Sequence, residues 1–260
     1  MFINNFDPVA IQIFTLEIRW YSLAYIIGIL FGWILSKKVF ILDLDIKDKF
    51  DDFITYLILG IIVGGRLGYI LFYNFGYYSN NLIEIFKIWQ GGMSFHGGVI
   101  GIIVASILFS KKNNEDVFKY LDIIALISPI GIFFGRIANF INSELYGIET
   151  SVPWAVQFIQ IDNLYRHPSQ LYEAALEGII LFLILIYFWT KDYLKTSGKL
   201  SALFLIFYSI FRFIIEYFRT PDEHLGYLIL NLTMGQLLSF LFFITGCSLY
   251  YLKDDNKKKS

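Results

Sequence analysis

The chain has 260 residues, of which 57% are hydrophobic, 19% aromatic and only 17% charged. Soluble domains carry about 25% charged residues, and a soluble globule of this length cannot cover so much apolar surface. The composition therefore indicates a polytopic membrane protein, with residues 1–260 as a single membrane domain. The net charge of −1 gives no reason to expect a nucleic-acid partner, and the single cysteine excludes a disulfide framework and a cysteine-based zinc site.

Seven apolar runs predict transmembrane helices, because each is about long enough to cross a hydrocarbon core of roughly 30 Å. They span residues 19–36, 53–75, 94–110, 117–135, 170–189, 200–218 and 229–252. We therefore expect an all-α integral membrane protein with a bundle of about seven helices.

The lysines predict the orientation of these helices. Fourteen of the fifteen lysines lie in or beside the polar gaps after the first, third and fifth runs, or in the basic tail at 253–260, whereas all six arginines lie elsewhere. Under the positive-inside rule the lysine-rich side is cytoplasmic. The N-terminus is then outside, the C-terminus is cytoplasmic, and residues 136–169 form a small external head between helices four and five. Within that head, "PWAVQF" predicts a short strand.

Arg66, in "GGRLGY", lies about midway along the second run. Ionisable groups inside lipid are costly, so their presence there is by default a functional hypothesis. Arg66 either contacts a ligand or pairs with a carboxylate between helices.

The segment "GGMSFHGG", from Gly91 to Gly98, begins the third run at its outer end. Backbone N–H groups of Gly97 and Gly98 at a helix N-terminus can hold an anion such as a phosphate. His96 lies within this turn and can serve as a general base near neutral pH. The alternative is that the glycines permit tight packing and that His96 is simply interfacial.

The segment "GRIANFINSELYG" groups Arg136, Asn139, Asn142 and Glu144 where the fourth run ends. An arginine fork with amide donors suits a phosphodiester, and the single carboxylate makes a metal site improbable. The alternative is a polar cap that closes the helix end.

In the sixth run, "YSIFRFIIEYFRTPDEH" places four polar side chains on one helical stripe: Tyr208, Arg212, Glu216 and Arg219. An Arg212–Glu216 pair that only joins helices is the alternative. Glu173, in "RHPSQLYE", suits either a helix cap or a catalytic role. These groups predict an anion site in the outer half of the bundle for an anionic lipid head group, with the nucleophile supplied by a second substrate.

Taken in chain order, these motifs resemble the bacterial prolipoprotein diacylglyceryl transferases. The resemblance rests on "WYSLAY", "GGRLGYILFYN", "GGMSFHGG", "GRIANFINSELYG", "HPSQLYE", "FRFIIEYFRTPD" and "MGQLLS". It covers the chain from about Trp20 to Ser239. The stretch between Gly147 and His167 is shorter than in some members of the family, which bears on the size of the external head.

The resemblance implies transfer of the diacylglyceryl group of phosphatidylglycerol to the lipobox cysteine thiol of a prolipoprotein, the first step of lipoprotein maturation. The products are a thioether-linked lipid and glycerol phosphate, and no metal or organic cofactor is required. The implied location is the bacterial plasma (inner) membrane, with the active site toward the outer side.

By motif matching, Arg136 binds the lipid phosphate, and His96 and Arg212 are essential. The residues that complete the implied site are Tyr21, Asn139, Glu144, Gly147, Tyr208 and Glu216.

Two other classes of protein fit the composition. A transporter or flippase of an anionic lipid would use the arginines as a translocation path, but polar residues thin out toward the inner half. A structural scaffold is disfavoured by the number of ionisable groups at membrane depth.

Overall fold

A computed structural model describes residues 1–14, 16–221, 226–228 and 231–259. Within these ranges the helices are α1 (Trp20–Leu35), α2 (Leu44–Tyr73), α3 (Phe75–Asn80), α4 (Phe95–Asn113), α5 (Val117–Ile141), α6 (Ser169–Glu173), α7 (Leu181–Thr190), α8 (Lys199–Ile215) and α9 (Met234–Lys259). A π-helical turn at Ser36–Phe40 continues α1, and another at Ala174–Ile180 joins α6 to α7 without a break. Short 3-10 turns lie at Leu82–Phe86, Ile88–Gln90 and Tyr193–Lys195.

Five helical segments among the described residues are long and apolar enough to cross a membrane. They are Trp20–Phe40, Leu44–Tyr73, Val117–Ile141, Ser169–Thr190 and Met234–Lys253. At most 33% of any apolar window is buried within the protein, as expected for helices that lipid surrounds. Helices α4 and α8 coincide with the third and sixth predicted runs. The chain is thus a mostly helical, multi-pass membrane protein.

Several helix boundaries differ from the sequence prediction. Helix α2 begins at Leu44 instead of residue 53, because the Asp43 side chain accepts a hydrogen bond from the Asp45 N–H and caps the helix. Lys49 therefore lies on a helix, where it contacts Asp45 (2.6 Å) and Glu115 (2.7 Å). A search for apolar runs misses such charged first turns.

The predicted basic tail at 253–260 also belongs to a helix. Helix α9 continues through it to Lys259, and Ser260 lies outside the described residues. The seventh predicted run starts at Ile229, which is outside them as well, and α9 begins at Met234.

The all-α prediction was incomplete, because the described residues include five short strands. β1 (Phe2–Asn4) pairs in parallel with β4 (Val156–Phe158), which pairs antiparallel with β5 (Tyr165–Arg166). β2 (Val9–Ile13) and β3 (Leu16–Arg19) form a separate antiparallel hairpin. The strand predicted in "PWAVQF" is confirmed as β4.

The head differs from the predicted segment 136–169 in two ways. Helix α5 continues to Ile141, so Arg136 and Asn139 lie on this helix. The N-terminal strand joins the head, because the buried Asn4 side chain donates a hydrogen bond from Nδ2 to the Phe140 carbonyl (2.6 Å). Phe140 packs with Val156 and Phe158 in a small core.

The chain forms two compact units. The first contains Met1–Ser36 and Asp122–Ser260, and the second contains Lys37–Leu121. In the first unit, the buried Asp122 carboxylate accepts hydrogen bonds from the Gly198 N–H (2.7 Å), the Ser201 N–H (2.7 Å) and the Ser201 hydroxyl (2.6 Å). Asp122 thereby caps α8 from a neighbouring helix and fixes the start of α8 against α5.

In the second unit, α2 and α4 approach closely at glycines. A Cβ atom at Gly101 would lie 1.9 Å from the Gly60 carbonyl oxygen, and one at Gly64 would lie 2.4 Å from that of Gly97. Small residues at such contacts let two membrane helices come within backbone contact. Gly97 is therefore a packing residue of this helix pair.

We expect Gly101→Ala to destabilise the protein, because the added methyl group overlaps the backbone of α2. Overpacking of this kind costs about 1–3 kcal/mol of unfolding free energy, which thermal unfolding of the purified protein in detergent would detect. Gly76→Ala is the matched control, since nothing lies within 4 Å of a Cβ atom there. Equal melting temperatures for the two variants would contradict the packing role.

Candidate functional site

Six charged side chains converge in the first unit: Arg136 on α5, Glu173 on α6, Glu177 on the π-helical turn, Arg212 on α8, and Glu216 and Arg219 just beyond α8. We call this set the arginine–glutamate cluster. The side chains of Glu173 and Glu177 are fully buried, and those of the three arginines are only 10–18% exposed. Three positive charges face three negative charges, so the cluster is formally neutral.

Glu173 is shared by all three guanidinium groups. Its Oε2 atom lies 2.9 Å from Arg136 Nε, and its Oε1 atom lies 2.5 Å from Arg212 Nη1 and 3.3 Å from Arg219 Nη1. If one side chain of such a buried network is removed, the charge of its partner stays buried and uncompensated. Glu173 therefore holds the arginines together, and its interpretation as a helix cap was wrong.

Glu177 offsets positive charge of the arginines although it makes no close contact with a guanidinium group. Its Oε2 atom is 3.6 Å from Arg136 Nη2, and its Oε1 atom is 3.7 Å from Arg212 Nη1. Within the described part of the chain, neither oxygen accepts a hydrogen bond.

Glu216 is held by neighbours from two sides. It contacts Arg212 Nη2 and accepts a hydrogen bond from the Thr233 hydroxyl (2.6 Å). A Cβ atom at Gly235 would lie 2.5 Å from the Glu216 carboxylate, so a side chain there would displace Glu216. The Arg212–Glu216 pair predicted by spacing is present, and Arg212 also reaches Glu173.

Asn139 and Glu144 continue the polar network from Arg136. Arg136 Nη1 lies 3.5 Å from Asn139 Oδ1, and Asn139 Nδ2 donates a hydrogen bond to Glu144 Oε2 (3.0 Å). Asn142 Nδ2 approaches the other Glu144 oxygen at 3.4 Å. The structure brings these side chains together as their spacing predicts, and their roles remain predictions.

Gly147 joins the head to the end of α8. Its N–H donates a hydrogen bond to the His167 carbonyl (3.0 Å), and it faces Arg219 across an isolated β-bridge. A Cβ atom at Gly147 would lie 2.4 Å from the His167 carbonyl oxygen and 2.5 Å from that of Phe218. Any side chain here would push apart the segments that carry the cluster.

Two tyrosines predicted for the site also lie in the first unit. Tyr208 is half-buried and stacks on Phe204 at 5.6 Å. The Tyr21 hydroxyl accepts a hydrogen bond from the Tyr25 hydroxyl (3.4 Å).

Arg66 lies in the second unit and binds backbone carbonyl groups. Its guanidinium donates hydrogen bonds to five carbonyls, those of Glu84, Ile85, Lys87, Gly91 and Gly92, at 2.5–3.3 Å. It also lies over the Tyr78 ring at 5.0 Å. The predicted carboxylate partner is replaced by carbonyls, because the loop at 84–92 has few helical hydrogen bonds of its own. The described contacts of Arg66 are therefore structural, and its contact with a substrate stays a prediction.

The glycine turn before α4 differs from the prediction. The Gly97 N–H donates to Ser94 Oγ (3.2 Å) and the Gly98 N–H to the Ser94 carbonyl (2.9 Å), so both donors are used by the helix cap. The prediction that they bind an anion was wrong, because Ser94 satisfies them. His96 is exposed on the first turn of α4 in the second unit, and its role remains a prediction.

An apolar pocket of about 300 Å³ lies beside α6 and the C-terminal end of α8. Its lining comprises Trp154, His167, Tyr172, Leu176, Ile214, Ile215 and Phe218. The Tyr172 hydroxyl accepts a hydrogen bond from Trp154 Nε1 (2.7 Å) and lies 3.0 Å from His167 Nδ1. Burial lowers the pKa of His167, which favours its neutral form.

In the ranges that the structure describes, no group of three or more His, Cys, Asp or Glu side chains is placed to hold a metal ion. His224, the remaining histidine, lies outside those ranges.

Glu177, Thr233 and Gly235 are site residues that the sequence reasoning missed. A signal for Glu177 was present, because it lies four residues after Glu173 within an apolar run and an acid there is unusual. Thr233 and Gly235 carry no comparable signal, since their role depends on where α9 meets Glu216.

Comparisons with known proteins agree on one family. The family model described as prolipoprotein diacylglyceryl transferase matches residues 8–252. Proteins named phosphatidylglycerol–prolipoprotein diacylglyceryl transferase are similar to the chain along nearly its whole length. That of Rickettsia bellii is 50% identical over 93% of both chains, and that of Rickettsia typhi is 50% identical over 95% of this chain and 96% of its own. That of Rickettsia felis is 48% identical over 98% of both.

We expect Gly147→Ala to lower the melting temperature of the purified protein, because its methyl group would meet two carbonyl oxygens. Forcing atoms into a packed site costs about 1–3 kcal/mol of unfolding free energy. Gly135→Ala, where a Cβ atom meets nothing within 4 Å, is the control and should melt like the unmodified chain. If Gly147→Ala melts at the control temperature, the junction is looser than its geometry indicates.

Proposed function

Since the chain belongs to the prolipoprotein diacylglyceryl transferase family, we propose that it transfers the diacylglyceryl group of phosphatidylglycerol to the lipobox cysteine thiol of prolipoproteins at the arginine–glutamate cluster. The observation that carries the proposal is the pairing of Arg136 and Arg212 on one buried carboxylate, Glu173. Planar guanidinium groups recognise phosphate oxygens through two parallel hydrogen bonds. A buried pair of them is suited to a phosphodiester that enters from the surrounding lipid.

The reaction needs a nucleophile and a stabilised leaving group. The cysteine sulfur attacks the glycerol carbon that bears the phosphate, so a C–S bond forms while the C–O bond breaks. The bonding electrons pass to the departing glycerol phosphate, and the thiol proton passes to a base. Arg136 and Arg212 stabilise the charge on the leaving phosphate, and removal of one such contact raises the barrier by about 3–4 kcal/mol.

His96 is the proposed base. A free thiol has a pKa of about 8.5, so only a few per cent is thiolate at neutral pH. A neutral imidazole can accept the proton as sulfur attacks, or hold the thiol in position. Six further residues support the arginines and the bound substrates: Tyr21, Asn139, Glu144, Gly147, Tyr208 and Glu216.

The proposed location is the plasma membrane of a bacterium, with seven helices, the N-terminus outside and the C-terminus in the cytoplasm. The lysine distribution supports this orientation under the positive-inside rule. The cluster then faces the outer side, where a prolipoprotein and a bilayer lipid can meet. Phosphatidylglycerol and the lipobox peptide are the two substrates.

We predict that Arg136→Ala and His96→Ala each abolish transfer. The measurement is mass spectrometry of a lipobox peptide incubated with purified enzyme in vesicles that contain phosphatidylglycerol. A diacylglyceryl mass gain is expected for the unmodified enzyme and for the surface control Lys195→Ala, whose only described ion pair is the exposed contact with Asp192. Full activity of either site variant would refute the proposed site.

The same vesicles discriminate the alternative function. A transporter or flippase would move the anionic lipid between leaflets without any change in peptide mass. Lipid movement together with an unmodified peptide would favour that class over the transferase.

We expect His96→Gln to change the pH dependence of kcat/KM if His96 is the base. The unmodified enzyme should lose rate as pH falls, because a protonated imidazole cannot accept the thiol proton. A variant profile of unchanged shape, with a uniformly lower rate, would show that His96 positions the thiol instead.

A further inference from the structure

The arginine–glutamate cluster contains two kinds of carboxylate. Glu173 and Glu216 make short contacts with guanidinium groups, and Glu216 also accepts a hydrogen bond from Thr233. Glu177 is equally buried, yet it lies 3.6–3.7 Å from Arg136 and Arg212 and its oxygens accept no hydrogen bond within the described residues. Glu173 and Glu216 therefore hold the arginines in place.

The proposed reaction creates a difficulty for product release. The substrate phosphodiester carries one negative charge, whereas a phosphate monoester has a second pKa near 6 and carries close to two at neutral pH. Guanidinium groups that bind the substrate would therefore bind glycerol phosphate more tightly. In a water-poor site this difference is enlarged, because charges interact more strongly at low dielectric. Slow product release limits turnover in many enzymes.

We propose that Glu177 limits the affinity of the arginine pair for the phosphate product and thereby promotes its release. This inference rests on the proposed function, because it takes Arg136 and Arg212 as the phosphate site. The Glu177 carboxylate adjoins both guanidinium groups and offsets part of their positive charge. A bound phosphate experiences that negative charge as repulsion, and a dianion experiences it twice as strongly as a monoanion.

The position of Glu177 suits this role better than that of Glu173. Removing the charge of Glu173 would release three guanidinium groups from their shared partner and disturb their geometry. Removing the charge of Glu177 leaves the contacts of Glu173 with Arg136, Arg212 and Arg219 intact. Glu177 is thus a residue whose charge can be changed while the shape of the site is kept.

The test compares Glu177→Gln, which removes the charge, with Glu177→Asp, which keeps it. The enzyme is assayed in phosphatidylglycerol vesicles with a lipobox peptide, and glycerol phosphate is added as the inhibitor. For Glu177→Gln we expect the inhibition constant of glycerol phosphate to fall about tenfold, with lower kcat and a smaller decrease in the KM for phosphatidylglycerol. Glu177→Asp should keep an inhibition constant near that of the unmodified enzyme.

One further variant is a control, and another is a replacement for Glu177→Gln. Glu115→Gln removes a carboxylate that contacts Lys49 and Lys119 in the second unit and should leave product inhibition unchanged. Glu177→Met also removes the charge at similar volume, and it replaces Glu177→Gln if that variant does not fold. Neutral glycerol, tested in place of glycerol phosphate, should not inhibit any variant more strongly than it inhibits the unmodified enzyme.

The inference is overturned if loss of the Glu177 charge leaves product inhibition unchanged or weakens it. It is overturned as well if Glu177→Asp behaves like Glu177→Gln, since shape and not charge would then be the cause. These failures differ from failure of the proposed function. If Arg136→Ala abolishes transfer but Glu177→Gln keeps normal product inhibition, only the role of Glu177 is wrong; if Arg136→Ala stays fully active, the phosphate site itself is wrong.

Discussion

The sharing of the buried Glu173 carboxylate by three arginines is the interaction on which the first unit depends. Neither a carboxylate nor a guanidinium can stay charged at membrane depth without a partner, because desolvation of an isolated charge costs several kcal/mol. Arg136 on α5, Arg212 on α8 and Arg219 beyond α8 all meet Glu173 on α6. The three helices are therefore held in one arrangement by the same group that organises the proposed phosphate site.

The same desolvation cost explains why other charged side chains within apolar segments have structural roles. Arg66 satisfies five carbonyls of the 84–92 loop, and Asp122 caps α8 by accepting hydrogen bonds from Gly198 and Ser201. In both cases an ionised side chain replaces the water that unpaired backbone groups would otherwise need. A charge within an apolar run thus marks an important residue, but its partners decide whether the importance is structural or chemical.

A charge-balanced site also explains how one cluster can bind an anion and release a more negative one. Three guanidinium groups without carboxylates would hold a phosphate product tightly in a water-poor environment. Glu173 and Glu216 fix the arginines, and Glu177 offsets their charge. Gly147 links this cluster to the head through its contacts with His167 and Arg219. In the proposed reaction, binding strength and turnover are set by different side chains.

Composition, apolar run length and motif order are properties of the chain alone, so they indicated the membrane class, the approximate positions of most helical segments and the family. The sequence also placed Arg136 near Asn139 and Arg212 near Glu216, since residues three or four apart share a helix face. Tertiary structure alone decided that Arg66 serves a loop, that Gly97 packs against α2, that β1 joins the head and that Glu177 faces two arginines. Each of these depends on a partner distant in sequence, which local periodicity cannot identify.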